Sequence, residues 1–444
     1  MSSSLNGPDL PIELWTKILC LAAGPNDSTE FRGIDYTGPM CCTLPVLKPG
    51  SLRESLKTKR SMVLVNREWN TIATPILYEH LTISKRVEFE KLLATLTSEV
   101  DAELTLGRFV RRLDLTNNAP DGIPVGVAIG LCQKMTNLVT FFVQLEVNIN
   151  PVPLLAALGP QLKHLHIQDY EEEETFTRSH SSISFADLLE FLNIHPNLTS
   201  VSFPFVITGL GEAPDESLAN DSKVRRWLSI RKWTFQHPSQ TSALGLHMPR
   251  GAFPSLTEVG FDHCTSSTFW SWEMKDFLAA HGDSLLTVGL GQGGEVQIPG
   301  ELSRPFQHIK DFCPRTAEVD ISFKAHEGRF RKKFALSTAW LAEVIRIPQI
   351  TTLGVRICSP RHNDERTQRL HCAVALPWPK VFPKLERIRV LEELEVDRYR
   401  MHDEVTRQNL TLPARWATRP IRVEDLSGTT LGELSKGLCT LVEM

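Results

Sequence analysis

The chain has 444 residues, 41% of them hydrophobic, with 48 basic against 52 acidic side chains and a formal net charge of -4. Such a composition can bury a sizeable core, and so balanced a charge does not favour a nucleic acid as partner. No stretch approaches the roughly 20 apolar residues of a membrane span, and the N-terminus lacks the pattern of a secretory signal. The nine cysteines are scattered, so a reducing, intracellular location in cytoplasm or nucleus is expected.

A helix is predicted near the N-terminus, beginning at Pro11. Proline fixes the backbone angle that a first helical turn requires, and Glu13 places a negative charge at the positive end of the helix dipole. Gly24 and Pro25 stop this helix. Its apolar residues recur at helical spacing and are expected to form one wide stripe: Leu14, Trp15, Ile18, Leu19 and Ala22.

A second helical pattern follows a segment rich in glycine and proline. That segment, residues 23–57, is predicted to be a long loop. The helix resumes after Thr58, and Pro75 is expected to end it because the residue before a proline avoids the α region. A short strand is predicted at residues 81–83. The apolar positions of the second pattern are Met62, Leu64, Val65, Trp69 and Ile72.

A module of so few helices cannot enclose much apolar surface. Apolar side chains that remain exposed on it would mark an interface with another protein. The alternative is that both apolar stripes pack on each other and on the next domain, which would leave no free surface.

The order of these residues resembles the F-box. The resemblance lies within residues 9–83 and is closest in character to the F-box proteins of mushroom-type fungi. The sequence departs from the family in its long internal loop and in Asn66, where many members carry cysteine. The matching segments are Leu10-Pro11-Ile12-Glu13-Leu14-Trp15-x-x-Ile18, Leu64-Val65-Asn66-Arg67-Glu68-Trp69, Ala73 and Leu77-Tyr78.

The resemblance implies a docking role. F-box modules present an apolar helical face to a Skp-type adaptor, which connects them to a cullin scaffold. Trp69 is as well suited to anchor the core of a small module, because a large aromatic side chain fills such a core. Carried over by position, the adaptor-binding residues are Leu10, Pro11, Leu14, Ile18, Leu64, Val65 and Trp69.

Beyond residue 100 the chain repeats one phrase, apolar-x-x-apolar-x-apolar. The middle positions of successive copies lie 24 to 36 residues apart. A weaker copy is Thr316/Val319/Ile321 and a doubtful one is Ile230/Trp233/Phe235. The clear copies are Val110/Leu113/Leu115, Leu138/Phe141/Val143, Leu162/Leu165/Ile167, Leu198/Val201/Phe203, Leu256/Val259/Phe261, Leu285/Val288/Leu290, Ile350/Leu353/Val355 and Leu385/Ile388/Val390.

The phrase resembles the strand segment of a leucine-rich repeat, whose ninth position is Asn or Cys. Asn118, Cys264 and Cys358 fill that position, and helix-like stretches separate the phrases at 185–192, 272–280 and 338–345. The predicted fold class is therefore α/β: a small all-α F-box-like module, then an irregular leucine-rich-repeat-like solenoid over residues 100–390 with parallel strands concave and helices convex. An ordinary doubly wound α/β domain is the alternative.

The sequence after Val390 becomes charged and favours helix. A repeat array cannot leave its last apolar edge bare, so residues 391–444 are predicted to form a C-terminal cap and tail. The final segment, from about Pro420, is expected to be loosely ordered.

The polar side chains between the apolar strand positions are expected on the open face of the sheet. In a solenoid that face is an extended binding surface, so these side chains could contact a protein substrate. They could equally well only solvate the face. The sequence leaves the substrate-binding residues unknown, and examples of such polar side chains are Arg112, Asp114, His164, His166, Glu258, Asp262 and Arg389.

Motifs for catalysis, metals or cofactors are weak. Gly289-x-Gly291-x-x-Gly294 would bind a dinucleotide only if a helix opened at its last glycine, and Pro299-Gly300 prevents such a helix. His164 and His166 have no third metal ligand nearby in sequence. We therefore assign no catalytic residue, metal or cofactor and expect no enzymatic activity. A loose cluster without zinc-module spacing consists of Cys358, His362, His371 and Cys372.

Three functions are compatible with these patterns. The first is the substrate-recognition subunit of a Skp-cullin-F-box ubiquitin ligase, which binds the adaptor through its N-terminal helices and a protein substrate on the repeats. The second is a non-catalytic repeat scaffold whose F-box-like module works outside a ligase. The third, an enzyme with an unrecognised site, is least favoured because the usual constellations are missing.

Overall fold

The structure is a computed structural model, and the chain in it divides into two compact units. The first unit comprises Met1–Arg32 with Pro45–Arg178, and the second comprises Gly33–Leu44 with Ser179–Met444. In the described part of the chain, no helix is both long and apolar enough to cross a bilayer. The structure describes residues 11–23, 49–83, 85–97, 106–115, 123–146, 148–169, 181–209, 226–261, 269–291, 300–324, 345–358, 378–391, 419–424, 428, 430–435 and 438–441.

Three helices open the first unit: α1 (Ile12–Ala22), α2 (Pro49–Val63) and α3 (Arg67–Tyr78). The second pattern, predicted as one helix, is divided into α2 and α3 because Asn66 caps α3. Its side-chain oxygen accepts a hydrogen bond from the backbone N–H of Trp69 at 2.8 Å. Residues 49–57, predicted as part of a loop, are helical. Residues 24–48 of that predicted loop lie outside the described residues.

Helix α3 continues through Pro75, so the prediction that it ends there was wrong. A proline inside a helix removes one backbone hydrogen bond and costs about 3 kcal/mol. On either side of it, Ala73 and Ile76 are buried against the other helices. We attribute the continuation of the helix to this packing, which offsets the cost of the proline.

A small apolar core joins the three helices. The rings of Trp15 and Trp69 pack with centroids 5.5 Å apart. The hydroxyl of Ser55 in α2 donates to the carbonyl oxygen of Ala23 at 2.6 Å. This bond gives a partner to one of the carbonyl groups that the end of α1 leaves without a hydrogen bond inside the helix. The buried members of this core are Leu19, Ala23, Met62, Ile72, Ala73 and Ile76.

The first unit also contains a parallel sheet of four strands, and its first strand directly follows the helical module. This strand confirms the prediction of a short strand at residues 81–83, and it pairs in parallel with the strand of the first predicted repeat. Leu81, Leu113, Phe141 and Leu165 stand directly opposite one another across the sheet. The strands are β1 (His80–Ile83), β2 (Arg112–Leu115), β3 (Thr140–Leu145) and β4 (His164–Asp169), and the helices are α4 (Arg86–Thr97), α5 (Val125–Lys134) and α6 (Val152–Ala157).

The second unit continues the alternation of strand and helix. Two short strands, β5 (Ser182–Ser184) and β7 (Val206–Thr208), pair with each other. Its helices are α7 (Phe185–Ile194), α8 (Pro238–His247), α9 (Phe269–His281), α10 (Gly300–Phe312) and α11 (Trp378–Val381). Its parallel strands are β6 (Ser200–Phe203), β8 (Lys232–Phe235), β9 (Glu258–Phe261), β10 (Thr287–Leu290), β11 (Glu318–Lys324), β12 (Thr352–Cys358), β13 (Arg387–Val390) and β14 (Ile421–Glu424).

All ten copies of the predicted phrase form strands, including the two weak copies. Every one of their three apolar positions, with Thr316 in the weaker copy, is at most 2% exposed. Within each unit, each copy therefore contributes a layer to the core, as leucine-rich repeats do. The middle positions of the second unit stand in register: Val201, Trp233, Val259, Val288, Val319, Leu353 and Ile388.

Neighbouring helices pack side by side within each unit. In the first unit α5 contacts both α4 and α6, and in the second unit α9 contacts both α8 and α10. Parallel strands joined by such crossovers place consecutive helices on the same side of the sheet. The predicted α/β class with leucine-rich-repeat-like units is confirmed. Two predicted helices fall within α7 and α9, and residues 338–344 of the third lie outside the described residues.

The C-terminal segment contains three strands after Pro420 in the part that the structure describes. Strand β14 pairs in parallel with β13, and β15 (Thr430–Ser435) and β16 (Leu438–Leu441) follow as antiparallel neighbours. The expectation of loose order from about Pro420 was wrong for these strands. Ile421 and Val423 alternate with an exposed arginine and bury their side chains, so this segment covers the edge that β13 would otherwise leave open. Residues 392–418 lie outside the described residues.

Candidate functional site

Helix α1 carries apolar side chains on two sides. At 100° per residue, Trp15, Leu19 and Ala23 point into the core of the three helices. Three further apolar side chains lie next to Lys17 on the solvent side of the helix. They are Leu14, Ile18 and Leu21, which are 47%, 43% and 74% exposed.

The turn between α2 and α3 exposes two further apolar side chains. Leu64 is 82% exposed and Val65 is 56% exposed. They immediately precede Asn66, whose side chain accepts a hydrogen bond from the backbone N–H of Trp69 and so marks the start of α3. The backbone N–H groups of Leu64 and Val65 donate to Ser61 and Met62, so the turn is hydrogen-bonded while its side chains remain outside the core.

The contact between Trp15 and Trp69 joins α1, which carries the first set, to α3, which follows the second set. Leu14 and Ile18 flank Trp15 along α1, and Val65 lies one turn before Trp69. We call this set the docking face and define it as Leu14, Ile18, Leu21, Leu64 and Val65.

The docking face is unusual in its concentration of exposed apolar side chains. Eleven large hydrophobic residues are exposed in the part of the chain that the structure describes, and six of them lie between residues 12 and 65. Ile12 is the sixth. A solvated surface normally scatters such residues singly, whereas a group of them marks an interaction surface.

The predicted adaptor-binding residues occupy different environments. Leu14, Ile18, Leu64 and Val65 lie on the docking face, and Pro11 is exposed immediately before α1. Trp69 is half-buried and packs on Trp15 and the core, which favours its role as a core anchor. Leu10 lies outside the described residues.

Leu21 is a member of the docking face that the sequence analysis did not single out. It lies three residues after Ile18 and seven after Leu14, so all three share one side of α1. That spacing was available in the sequence. The predicted wide stripe concealed it, because a stripe that includes Leu14 and Leu19 covers two sides of the helix.

A buried ionic network connects β1 to β2. The Nε of Arg112 donates to Asp114 Oδ2 at 2.9 Å, and its Nη2 lies 2.9 Å from the same oxygen. His80 Nε2 in β1 is 2.9 Å from that oxygen as well. Burial alone would raise the pKa of Asp114, but the hydrogen bond with His80 and the charge of Arg112 hold it below the ordinary value.

Within this network Arg112 and Asp114 are paired with each other, and Asp114 also with His80. Both side chains are about 4% exposed and are neutralised internally. The network fixes the end of the helical module to the first repeat, because His80 belongs to the strand that follows α3. Within the first unit, module and repeats are therefore one packed body.

The two histidines of β4 also differ from the predicted picture of surface residues. His166 is buried and stacks on Phe142, with ring centroids 4.9 Å apart and planes inclined by 8°. His164 lies on the same side of the strand and is half-buried. Among the described residues, no group of three or more histidine, cysteine or acidic side chains could hold a metal ion.

Polar side chains line the face of the second unit's sheet that points away from the helices. Glu258 pairs with Lys232 on the neighbouring strand at 3.4 Å, and Arg389 pairs with Glu318 two strands away at 2.8 Å. Asp262 lies outside the described residues. Between these pairs the strands carry small residues in matching register, among them Thr234, Gly260, Gly289 and Gly354.

The glycine-rich segment after β10 was weighed as a nucleotide site. Gly289 belongs to β10, and the backbone N–H of Gly291 donates a hydrogen bond to the carbonyl oxygen of Phe261 at 2.7 Å. Residues 292–299 lie outside the described residues, and α10 begins at Gly300. Residues 118 and 264 of the predicted ninth positions, and 362, 371 and 372 of the loose cluster, are likewise outside them.

No protein-family model matches this chain, and neither does any curated protein sequence. Among solved structures, the chain is similar to the leucine-rich repeat-containing protein LegL7 from Legionella pneumophila. The identity is 13% and the TM-score 0.39, over 71% of this chain and 91% of that chain. At that level the similarity carries no argument by itself. The strand register and the buried phrase define a leucine-rich-repeat-like protein, preceded by a three-helix module with an exposed apolar face.

Proposed function

We propose that this chain is the substrate-recognition subunit of a Skp-cullin-F-box ubiquitin ligase. The observation that carries the proposal is the docking face, the exposed apolar side chains of α1 and of the turn between α2 and α3. Four of its five members occupy positions that the F-box resemblance assigns to adaptor contact. The helical module is thus the part of the chain that binds a Skp-type adaptor and, through it, a cullin.

The energetics of the docking face suit a protein partner. Burying an exposed aliphatic side chain contributes about 1.5–3 kcal/mol. Five such side chains, about half to four-fifths exposed, can offset the several kcal/mol that association costs. The face carries no charge of its own, so this contribution is not lost at high salt.

The role assigned to the chain is positioning. The repeats supply the extended sheet face on which a protein substrate binds, and the transfer chemistry takes place on other subunits. The ionic network between β1 and β2 supports this division of labour, since it holds the docking module and the first repeats together. We assign no catalytic residue, cofactor or metal to this chain.

The test is co-expression of the full chain with a Skp-type adaptor, followed by size exclusion. The variant to compare is Leu14→Asp/Ile18→Asp, which places two charges on the docking face without touching the core. The matched control is Leu246→Asp, because Leu246 is also an exposed leucine on a helix, α8 of the second unit, and is 63% exposed. Deletion of residues 1–83 would be a poor control, because it removes β1 and leaves Asp114 without His80.

The outcomes separate the candidate functions. A one-to-one complex that forms with the parent and the Leu246 control, but not with the double variant, would support adaptor docking. A complex that persists in the double variant would exclude the docking face as the adaptor-binding site. A folded parent chain that forms no complex would remove the ligase role and leave a non-catalytic repeat scaffold.

A further inference from the structure

The turn between α2 and α3 begins with two backbone hydrogen bonds that each span three residues. The last turn of an α-helix leaves carbonyl groups without partners inside the helix. At the end of α2, the carbonyl oxygen of Ser61 accepts from the backbone N–H of Leu64 at 3.2 Å. The carbonyl oxygen of Met62 accepts from the backbone N–H of Val65 at the same distance of 3.2 Å. Bonds of this span tighten the chain as it leaves the helix.

The next carbonyl group, that of Val63, receives its hydrogen bond from a side chain across the turn. Asn70 Nδ2 donates to the carbonyl oxygen of Val63 at 2.9 Å. Val63 is the last residue of α2, and Asn70 lies in the first part of α3. The bond therefore connects the start of one helix to the end of the other and encloses the turn.

Two further hydrogen bonds fix Asn70 itself. Its backbone N–H donates to the carbonyl oxygen of Asn66 at 2.9 Å. Its side-chain oxygen accepts from the hydroxyl of Thr74, one helical turn further along, at 3.4 Å. An amide group donates at one end and accepts at the other, so a single orientation of the Asn70 side chain makes both of its bonds.

The residues that these bonds enclose are two members of the docking face. Leu64 and Val65 are 82% and 56% exposed, while their backbone N–H groups are hydrogen-bonded. Exposed apolar side chains on a fixed backbone need little further ordering when a partner binds them, so less of the binding free energy is lost. The hydrogen bonds thus prepare the turn for binding, and Asn70 provides the bond that spans it.

The alternative is that Asn70 only gives a partner to the end of α2. Its loss would then lower the stability of that helix and leave the rate of association with a partner unchanged. Asn70 is exposed and does not belong to the core of the three helices, so the core does not depend on it. The turn does depend on it, because the bond to Val63 links the two ends of the turn.

We infer that Asn70 is a positioning residue for adaptor binding. Its bond to the carbonyl group of Val63 holds the turn in the conformation that presents Leu64 and Val65 to an apolar pocket of a Skp-type adaptor. This inference deepens the proposed function and rests on it for the identity of the partner. Asn70 acts on the turn of the free chain, so its effect can also be measured without adaptor.

The experiment measures the rates of association and dissociation of a purified Skp-type adaptor with the full-length chain. The variants are Asn70→Ala, which removes the bond, and Asn70→Asp, which sets a negative charge against the carbonyl oxygen of Val63. A negative charge near the start of a helix is favourable, so Asn70→Asp does not weaken α3 itself. The control is Thr71→Asp, because Thr71 is also exposed and its hydroxyl donates within α3 to the carbonyl oxygen of Arg67. It adds the same charge to the neighbouring position and leaves the bond to Val63 in place.

The expected result is slower association with an unchanged rate of dissociation. A turn that samples other conformations lowers the binding-competent fraction of the free chain, whereas the contacts in the complex remain. The association rate should fall about threefold in Asn70→Ala and about tenfold in Asn70→Asp, and should stay within about twofold of the parent in Thr71→Asp. Without adaptor, the amides of residues 61–66 should exchange about threefold to tenfold faster in both Asn70 variants at short labelling times, with a Tm within about 2 °C of the parent.

Two results would overturn this inference alone. One is an association rate of Asn70→Asp equal to that of Thr71→Asp, which would show that Asn70 does not position the turn for the adaptor. The other is unchanged amide exchange across residues 61–66 in both Asn70 variants, which would show that the bond does not hold the turn. No binding by the folded parent chain would overturn the proposed function together with this inference, so the two failures are distinguishable.

Discussion

Replacing Asp114 by asparagine removes the centre of the network that joins the helical module to the repeats. In the parent chain its carboxylate binds Arg112 of the same strand and His80 of β1, all at 2.9–3.0 Å. Asparagine has nearly the same shape, but it carries no charge and presents an NH2 group. One of its two terminal atoms would then face the guanidinium as donor against donor.

The magnitude follows from burial. Arg112 is about 4% exposed, so the variant leaves a buried cation without its counter-charge. Breaking a buried pair by removing one partner costs about 3–5 kcal/mol. Since each 1.4 kcal/mol is a factor of ten, opening of the β1–β2 region should increase by a factor of about 100 or more.

Hydrogen exchange followed by mass spectrometry is the appropriate assay, because it reports opening region by region and needs no assumption of two-state unfolding. The amides of β1 and β2 should lose protection by about that factor, while those of β9 and β10 in the second unit keep theirs. The variant Arg112→Met/Asp114→Leu should lose less protection than Asp114→Asn, because it leaves no unpaired charge. If amide exchange in β1 and β2 changed less than about threefold in Asp114→Asn, the network would not be what holds the helical module to the repeats.

The same carboxylate predicts an acid dependence. The pKa of Asp114 in the folded chain lies below its ordinary value, so its contribution to stability is complete above about pH 4 and is lost as the pH falls through that range. Unfolding by urea at about pH 5 and about pH 3 should show a smaller loss of stability in Asp114→Asn than in the parent. An equal loss in both proteins would contradict this assignment.

Three further predictions follow from local geometry. Asn66→Ala should destabilise the helical module by about 1 kcal/mol, measured as faster amide exchange in α3. Unchanged exchange would show that the Asn66 cap does not stabilise this helix. Gly245→Ala should lower stability by about 1–3 kcal/mol, because a Cβ there would stand 2.6 Å from the backbone nitrogen of Phe277. The control Gly126→Ala, with free space at its helix position, should raise stability by about 0.5 kcal/mol. If both substitutions changed stability in the same direction, the packing argument would be contradicted. Burial raises the pKa of Cys313 to about 12, so a thiol reagent at about pH 8 should label it only after unfolding, and rapid labelling of the native chain would contradict its burial.

The repeats could be predicted well from sequence because one physical rule determines them. A strand that is buried on its helix side needs apolar residues at fixed positions, and a repeated phrase makes that need visible. Even the doubtful copy at Trp233 formed a strand, since a large aromatic side chain still fills one layer of the core. The first strand, at Leu81, was predicted as a strand but not as a repeat, because its phrase is incomplete.

The helical module shows where periodicity fails. Periodicity counts an apolar residue on a helix alike whether it faces a core or solvent. Ile18 and Leu19 were therefore placed on one stripe, although Ile18 is exposed and Leu19 is buried. Asn66 and Pro75 were misjudged for a related reason. At Asn66 the cap of a new helix competes with continuation of the preceding one. At Pro75 the packing of the neighbouring residues competes with the cost of a proline inside a helix. The spacing of apolar residues does not show which effect is larger.

The face of the sheet was the least predictable feature. Arg112 and Arg387 occupy the same position of the repeated phrase, but the first is buried in an internal network and the second stands directly across from the exposed Arg422. What separates them is register, which decides the residue that stands across from each. Register becomes known only when the strands are paired.

The central claim is that the docking face binds a Skp-type adaptor. The most direct test is a calorimetric titration of purified adaptor into the parent chain, into Leu14→Asp/Ile18→Asp, and into the Leu246→Asp control. The account predicts a Kd below about 1 μM for the parent and the control, weakened about 100-fold or more in the double variant with unchanged thermal stability. Equal affinity in all three proteins, or no binding by the folded parent, would contradict it.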